Sequence, residues 1–260
     1  MIEVIAPLLP FSQAMIWAGL VVFLRVGAVM ALMPVFGDQP VSMRLRLVLT
    51  LMFTAIVAPA AANTIPAAPA ELLDRVALLG QEVLIGLFFG FFIRFFVLVL
   101  QVAGSIAAQS TSLTQIFGGS AGADPQPAIG HLLFIAGLAV AALSGLHVQA
   151  AIYMIDSYLI VPAGRGLSGG TISQIGVAEV SRTFGTGFTL AAPFLIASLV
   201  YNVVLGIINR AMPQLMVSFV GAPAITAGGL LLLLLSAPVL LATWIGALHQ
   251  FLDTPFGAWP

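Results

Sequence analysis

Long apolar segments constrain this sequence more than any other feature. A chain needs about 20 predominantly apolar residues to cross the hydrocarbon core of a bilayer as an α-helix. The segments that reach or approach this length are residues 11–33, 45–60, 76–103, 128–146 continuing through 148–161, 184–208 and 215–251. The last is long enough for two helices or one hairpin, and a break is predicted at Pro238.

The composition agrees with these segments. Of the 260 residues, 61% are hydrophobic and 7% are charged, whereas a soluble domain averages about 25% charged residues. We therefore predict an all-α, polytopic membrane protein whose long helices are kinked at Pro and Gly and arranged as helical hairpins. Residues 33–40, 58–69, 109–127 and 161–173 are the predicted breaks. None is long and polar enough to connect a separate soluble domain.

Several function classes lack support in the sequence. The net charge of -1 gives no basic field for nucleic acid. The chain has no cysteine, and its three histidines show no metal-ligand spacing. No nucleophile elbow or phosphate-binding loop occurs. We therefore expect no catalytic residue, metal or cofactor, and we do not expect an enzyme. The first ten residues lack the positive region of a cleavable signal peptide, so the first span is expected to be retained.

Three charges lie inside apolar segments. Arg25 lies in the first segment, and Glu82 and Arg94 lie in the third. A charge at the bilayer centre costs about 2.5–3.5 kcal/mol on insertion scales and normally faces protein, water or an opposite charge. None of the three has an opposite charge three or four residues away. Their partners are therefore distant in the sequence.

Other charges fall near the later segments. Asp156 is similarly isolated, Glu179 and Arg182 are three residues apart and can pair locally, and Arg210 follows the fifth segment. The isolated charges could form bridges within one bundle, meet other subunits or line a wet cavity, or form a proton relay. The arginines between segments also fall on both sides of the bilayer when the spans alternate, so the positive-inside rule gives no orientation.

Residues 109–127, QSTSLTQIFGGSAGADPQP, form a polar, glycine-rich break that contains the apolar pair Ile116 and Phe117. An exposed apolar pair gains nothing from water. The pair either anchors this segment against the protein's own helices or contacts something else.

Three segments together resemble a known family: residues 23–59, 145–164 and 184–233. The most specific features are the arginine followed by small residues in the first segment, the Gly-x-His that precedes the 151–162 segment, and the NRAMPQ run at 209–214. On these residues the chain resembles the FliR family, the R subunit of the type III secretion export gate in flagellar biosynthesis, over nearly its whole length. It departs from the family's pattern at Ser110, where a glycine is usual, and at Leu215–Val217, where an asparagine often occurs.

The resemblance implies a structural pore subunit. One copy would join several P and Q subunits in a helical, ring-like pore assembly, with residues 1–183 similar to a P subunit and the hairpin region 184–260 similar to a Q subunit. The implied location is the flagellar basal body in the bacterial inner (cytoplasmic) membrane. Further implied partners are the export-apparatus membrane subunits A and B and transient unfolded export substrates. Neighbouring chains would then supply the partners of Arg25, Glu82 and Arg94.

The resemblance also implies that residues 109–127 project into the central pore and help to close it. Apolar side chains would form the plug, and glycines would supply its hinge freedom. The plug residues are Leu113, Ile116 and Phe117, and the hinge residues are Gly118, Gly119 and Gly122. Two alternatives stay open, a small secondary transporter and the equivalent subunit of a virulence injectisome.

Overall fold

The computed structural model describes residues 8–38, 41–110, 128–212 and 217–255. Regular structure in these ranges is helical, as predicted. The helices are α1 (Leu8–Leu32), α2 (Met43–Ala61), α3 (Leu72–Ser110), α4 (Ala128–Leu143), α5 (Leu146–Ile160), α6 (Gly169–Ala211) and α7 (Val217–Asp253), with a short 3-10 helix at Ala62–Thr64.

Five of the described helical segments are long and apolar enough to cross a membrane, and the bent pair of α4 and α5 would make a sixth. The pair is interrupted at Gly145, whose φ of +86° lies in the left-handed region. Glycine adopts this conformation readily because it has no Cβ. The predicted continuation of one apolar segment into the next is therefore broken at this residue.

In two of the helices that begin before their predicted segments, a serine caps the first turn. α2 begins after Ser42, whose Oγ accepts a hydrogen bond from the backbone N–H of Leu45 over 3.4 Å. α6 begins at Gly169, well before the predicted start at residue 184, because the Oγ of Ser168 accepts a hydrogen bond from the N–H of Thr171 over 3.1 Å. Both serines satisfy a donor that the first turn of a helix leaves unpaired.

The predicted break at Pro238 is wrong. Pro238 lies inside α7, which is helical from Val217 to Asp253, and α6 likewise contains Pro193. A proline removes one backbone donor, and long apolar helices tolerate this loss when their surroundings satisfy the freed group. Residues 217–253 are therefore one long helix, not the two helices or the hairpin predicted for this segment. α6 and α7 line a common groove, and we refer to this pair as the hairpin.

The chain divides into two compact units. Unit 1 comprises Met1–Arg94, Ala141–Val177 and Leu248–Pro260. In it α1 packs along α2, and α2 contacts α5. The apolar core of α1 is formed by Val21, Val22, Val26, Val29 and Met30, which are all essentially inaccessible to solvent. Tyr153 of α5 is also buried, and its hydroxyl donates to the carbonyl oxygen of Phe89 on α3 over 3.0 Å.

Unit 2 comprises Phe95–Val140 and Ala178–Ala247. Its core joins the second half of α3 to α4, α6 and α7. Trp244 of α7 is 2% exposed, and its Nε1 donates to the carbonyl oxygen of Phe96 on α3 over 2.7 Å. A buried tryptophan needs such a partner for its N–H. Gly187 of α6 allows close approach to Val102 of α3, whose Cγ1 would lie 2.8 Å from an added Cβ.

Candidate functional site

A fully buried ion pair lies in the core of unit 1. The Nε of Arg25 on α1 donates to Oε2 of Glu82 on α3 over 2.7 Å, and Nη2 donates to Oε1 over 3.2 Å. Arg25 is 1% exposed and Glu82 is 0% exposed. Two parallel N–H···O bonds give an arginine–carboxylate pair directional specificity. The pair therefore fixes the rotation and register of α1 against α3.

Further contacts connect this ion pair to the C-terminal end of α5. The guanidinium Nη1 donates to the carbonyl oxygens of Ser157, over 3.1 Å, and Val161, over 2.8 Å. The backbone N–H of Gly164 donates to the carboxylate Oε1 over 3.0 Å. The guanidinium carbon also lies 3.8 Å from the centroid of the Tyr158 ring, a cation–π geometry. A buried pair is tolerated only when such additional bonds offset the desolvation of both charges.

Two glycines one helical turn apart on α3 permit the close approach of α1. A Cβ added at Gly86 would meet the carbonyl oxygen of Arg25, and one added at Gly90 would lie 3.2 Å from the Cα of Val29. The sequence GLFFG at these positions is a small-xxx-small pattern, which allows helix backbones to approach closely in membrane proteins. This motif is the sequence signal that could have indicated the α1–α3 contact.

A second ion pair in unit 1 holds the segment that follows α1. Nη1 of Arg94 donates to Oδ1 of Asp38 over 2.6 Å; the Arg94 side chain is 31% exposed and the Asp38 side chain 6%. The other carboxylate oxygen of Asp38 accepts from the N–H of Val35 over 3.0 Å. Val35 has a φ of +71°, which is costly for a β-branched residue. Arg46 of α2 also binds the carbonyl oxygens of residues 36–38.

The partners of Arg25, Glu82 and Arg94 therefore lie within the chain, which corrects the expectation that neighbouring chains supply them. Of the alternatives for these charges, internal bridging is the one that the structure contains. The paired residues are 57 and 56 positions apart. Helical spacing reports only neighbours within one helix, and Asp38, in a short loop, was not recognised as a partner.

The other predicted charges occupy different environments. Asp156 is partly buried on α5, and Arg210 is exposed in the last turn of α6, where a cation interacts favourably with the helix dipole. Glu179 and Arg182 line the same small cavity in unit 2. Among the described residues, no group of three or more His, Cys, Asp or Glu side chains could hold a metal ion.

The predicted plug and hinge lie outside the described residues. They are Leu113, Ile116, Phe117, Gly118, Gly119 and Gly122. The helices on either side of this segment, α3 and α4, are described, and both belong to unit 2 over residues 95–110 and 128–140.

A glycine–glycine contact joins these two flanking helices. A Cβ added at Gly104 of α3 would meet the Cα and N of Gly130 on α4. In the opposite direction, a Cβ added at Gly130 would lie 3.4 Å from the carbonyl carbon of Gly104, an ordinary van der Waals distance. The contact lies a few residues before and after the predicted plug. Gly104 lies six residues before the end of α3, and Gly130 lies two residues after the start of α4.

The hairpin of α6 and α7 exposes an extensive apolar surface. No side chain is buried in residues 195–211, the part of α6 that follows Phe194. The apolar side chains that are at least half exposed on this hairpin include Ile196, Leu199, Val200, Val203, Ile207, Leu230, Leu231, Leu234, Leu235 and Val239. Continuous apolar surface of this kind faces lipid or another protein. We refer to these ten residues as the hairpin face.

Comparison with known proteins identifies the family. The family model of the bacterial export proteins, family 1, matches residues 16–251. The chain is 32% identical to the flagellar biosynthetic protein FliR of Caulobacter vibrioides over 241 residues, which cover 92% of this chain and 95% of the relative. It is 27% identical to FliR of Escherichia coli over 84% of this chain and 83% of the relative. It is 26% identical to FliR of Buchnera aphidicola over 80% and 81% of the two chains. The chain therefore belongs to family 1 of the bacterial export proteins, the family of the flagellar biosynthetic protein FliR.

Proposed function

We propose that this chain is a structural, non-enzymatic pore subunit of the flagellar type III export gate. In this proposal it completes a ring with P and Q subunits in the bacterial inner membrane, within the flagellar basal body and beside the membrane subunits A and B. Unfolded flagellar proteins leave the cytoplasm through the pore. The observation that carries the proposal is the hairpin face of a chain whose relatives are flagellar export proteins. The face is apolar, continuous and uncovered by the described residues.

Subunit contact explains the hairpin face better than lipid alone. Only 17% of the most apolar stretch of α6, and 22% of that of α7, is buried within the chain. Burial of apolar surface contributes about 25 cal/mol per Å², so covering these side chains with protein gives a large driving force wherever the helices lie outside the hydrocarbon core. Residues 184–260 would occupy a Q-like position in the ring, and residues 1–183 a P-like one.

Site-specific photocrosslinking tests this assignment. A photoreactive amino acid placed at Leu199 or Leu234 on the hairpin face is expected to crosslink to Q subunits in cells that express the whole apparatus. Arg165, exposed in the connection between α5 and α6, is the control position and is not expected to yield these products. Crosslinks from the hairpin face to lipid alone, or to P subunits alone, would contradict the proposed position.

The proposed gating role belongs to residues 109–127. Leu113, Ile116 and Phe117 would pack against apolar groups in the pore and exclude water and ions, with Gly118, Gly119 and Gly122 as the hinge. The Gly104–Gly130 contact supports this role because it holds together the two helices that flank the segment. A buried Phe or Ile contributes about 1.5–3 kcal/mol. A few such side chains therefore make a seal that a driven substrate can displace.

Ion conductance tests the plug. Replacing Ile116 and Phe117 by alanine is expected to leave assembly intact and to raise the ion leak through purified, reconstituted gates. The matched control replaces the neighbouring polar residues Thr114 and Gln115 by alanine, and its conductance should stay at the wild-type level. Equal conductance in both variants would reject the plug while leaving the subunit assignment untouched.

A further inference from the structure

The carboxyl group of Glu179 is buried in unit 2 and incompletely satisfied. Glu179 lies on α6 and is 3% exposed. Its Oε2 has no hydrogen-bond partner among the described residues. An unsatisfied buried polar atom costs the full desolvation of that atom. This oxygen therefore favours a partner other than the described side chains.

A small cavity lined by both polar and apolar side chains lies beside this carboxyl group. Its volume is about 50 Å³, and it lies between α3, α6 and α7 within unit 2. Three threonine side chains, those of Thr183, Thr186 and Thr243, line it together with Arg182. The hydroxyls of Thr183 and Thr243 donate to the carbonyl oxygens of Glu179 and Val239, over 2.8 and 2.9 Å. Their oxygen lone pairs therefore remain available as acceptors.

The side chains that line the cavity indicate which class of ligand it can hold. A divalent metal ion prefers several oxygen ligands of which more than one is charged, and the cavity offers one carboxylate beside a guanidinium. An anion would be repelled by Glu179. A cavity needs about 10–15 Å³ to hold one water molecule and two to four polar partners to retain it. About 50 Å³ lined by a carboxyl, a guanidinium and hydroxyls thus suits a cluster of about three waters.

We infer that this cavity is a hydrated proton-binding site in which Glu179 is the group that takes up and releases the proton. In the ionised state the carboxylate interacts with the positive charge of Arg182, three residues later on α6. In the neutral state a proton transferred from a hydronium ion in the cavity forms an O–H bond at Oε2, leaving water. The new hydroxyl then donates to a threonine oxygen or to water.

Access and isolation both favour such a site. Thr243 lines the cavity and is exposed, so the cavity lies close to the surface of the unit. The residues contributed by α3, Phe96 and Val99, and by α7, Thr243, Trp244 and Ala247, carry no charge. Among the described lining residues, Arg182 is therefore the charge that acts with Glu179, and protonation changes the net charge of the cavity by one. This inference does not depend on the proposed role in the export gate.

Infrared difference spectroscopy between neutral and acidic buffer tests the inference, using the chain purified with its co-expressed partner subunits. We expect a carboxylic-acid carbonyl band that grows as the pH falls, shifts in deuterated water and is lost in Glu179→Gln. Asp156→Asn, which removes a partly buried carboxyl in unit 1, is the control and should retain the band. Should Glu179→Gln fail to accumulate, Thr243→Val supplies the second test, because losing one acceptor in the cavity should shift the band.

Three results would overturn the inference. The first is the absence of any band that Glu179→Gln removes or Thr243→Val shifts. The second is a Glu179 band that does not change with pH, which would mean a permanently neutral acid. The third is a band that is insensitive to deuterated water, which would mean a dry site.

Discussion

The buried Arg25–Glu82 pair allows a quantitative prediction. Replacing Glu82 by alanine leaves the Arg25 guanidinium buried, with the carbonyl oxygens of Ser157 and Val161 as its remaining described acceptors. The same substitution removes the acceptor of the Gly164 N–H. Breaking a buried ion pair by removing one partner costs about 3–5 kcal/mol. Since both side chains are at most 1% exposed, the guanidinium stays shielded from bulk water, and the cost should fall in this range.

Removing both charges should cost less than the two single substitutions together. In the double variant Arg25→Met with Glu82→Leu, neither charge is left uncompensated, and replacing a buried pair by apolar residues is often neutral or stabilising. The carbonyl oxygen of Ser157 keeps its bond from the N–H of Val161, over 2.9 Å. A coupling energy of about 2–3 kcal/mol is therefore expected from the double-mutant cycle, within the range seen for contacting residues.

The assay is the unfolding of the chain in detergent, purified with its co-expressed partner subunits, together with the amount recovered from membranes. Arg165→Gln is the control, because Arg165 is exposed and surface substitutions usually change stability by less than about 0.5 kcal/mol. If Glu82→Ala unfolds like wild type, or if the two single effects simply add, the pair does not hold α1 against α3 and the reasoning fails.

Three other substitutions, two of them with a matched control, test the packing of the helices by the same unfolding measurement. Gly104→Ala should destabilise unit 2 by about 1–3 kcal/mol, because the added Cβ overpacks the contact. Gly130→Ala at the same contact should be neutral or stabilising, because its Cβ would lie at ordinary van der Waals distances. Equal effects of the two substitutions would contradict the described contact of α3 and α4. Tyr153→Phe removes the hydroxyl that donates to Phe89 and should cost about 0.5–1.5 kcal/mol, and a gain in stability would count against that bond. Gly145→Ala should lower the free energy of unfolding by about 1–2 kcal/mol because the φ of Gly145 is left-handed. Its control, Gly80→Ala, places a Cβ where no other atom is near and should not lower it. A tolerated Gly145→Ala would contradict the described break between α4 and α5.

Some features of the helices followed directly from the sequence. Apolar runs such as residues 45–60 predicted α2 to within two residues at either end, because the length and hydropathy of a membrane helix are properties of consecutive residues. The effects of capping residues and of prolines on the helix ends were harder to predict from the sequence. Ser168 extends α6 back to Gly169, and Pro238 does not interrupt α7, since the cost of a proline depends on what surrounds the freed carbonyl.

For the buried charges, the sequence predicted the need for a partner but not its identity. The sequence indicated that Arg25, Glu82 and Arg94 need partners, because a lone charge in an apolar helix is costly. It could not name those partners, which lie 56 or 57 residues away. The GLFFG motif at Gly86 and Gly90 indicated a close helix contact in principle, but not that α1 is the helix in contact.

The sequence by itself determined that this chain is a helical membrane protein of the bacterial export family, because composition, segment length and family motifs are written along the chain. Only the tertiary structure decided which charges meet, which glycines touch and that Oε2 of Glu179 has no hydrogen-bond partner among the described residues. These properties depend on where helices distant in sequence cross. A crossing is set by the packing of whole helix surfaces, so no local pattern specifies it.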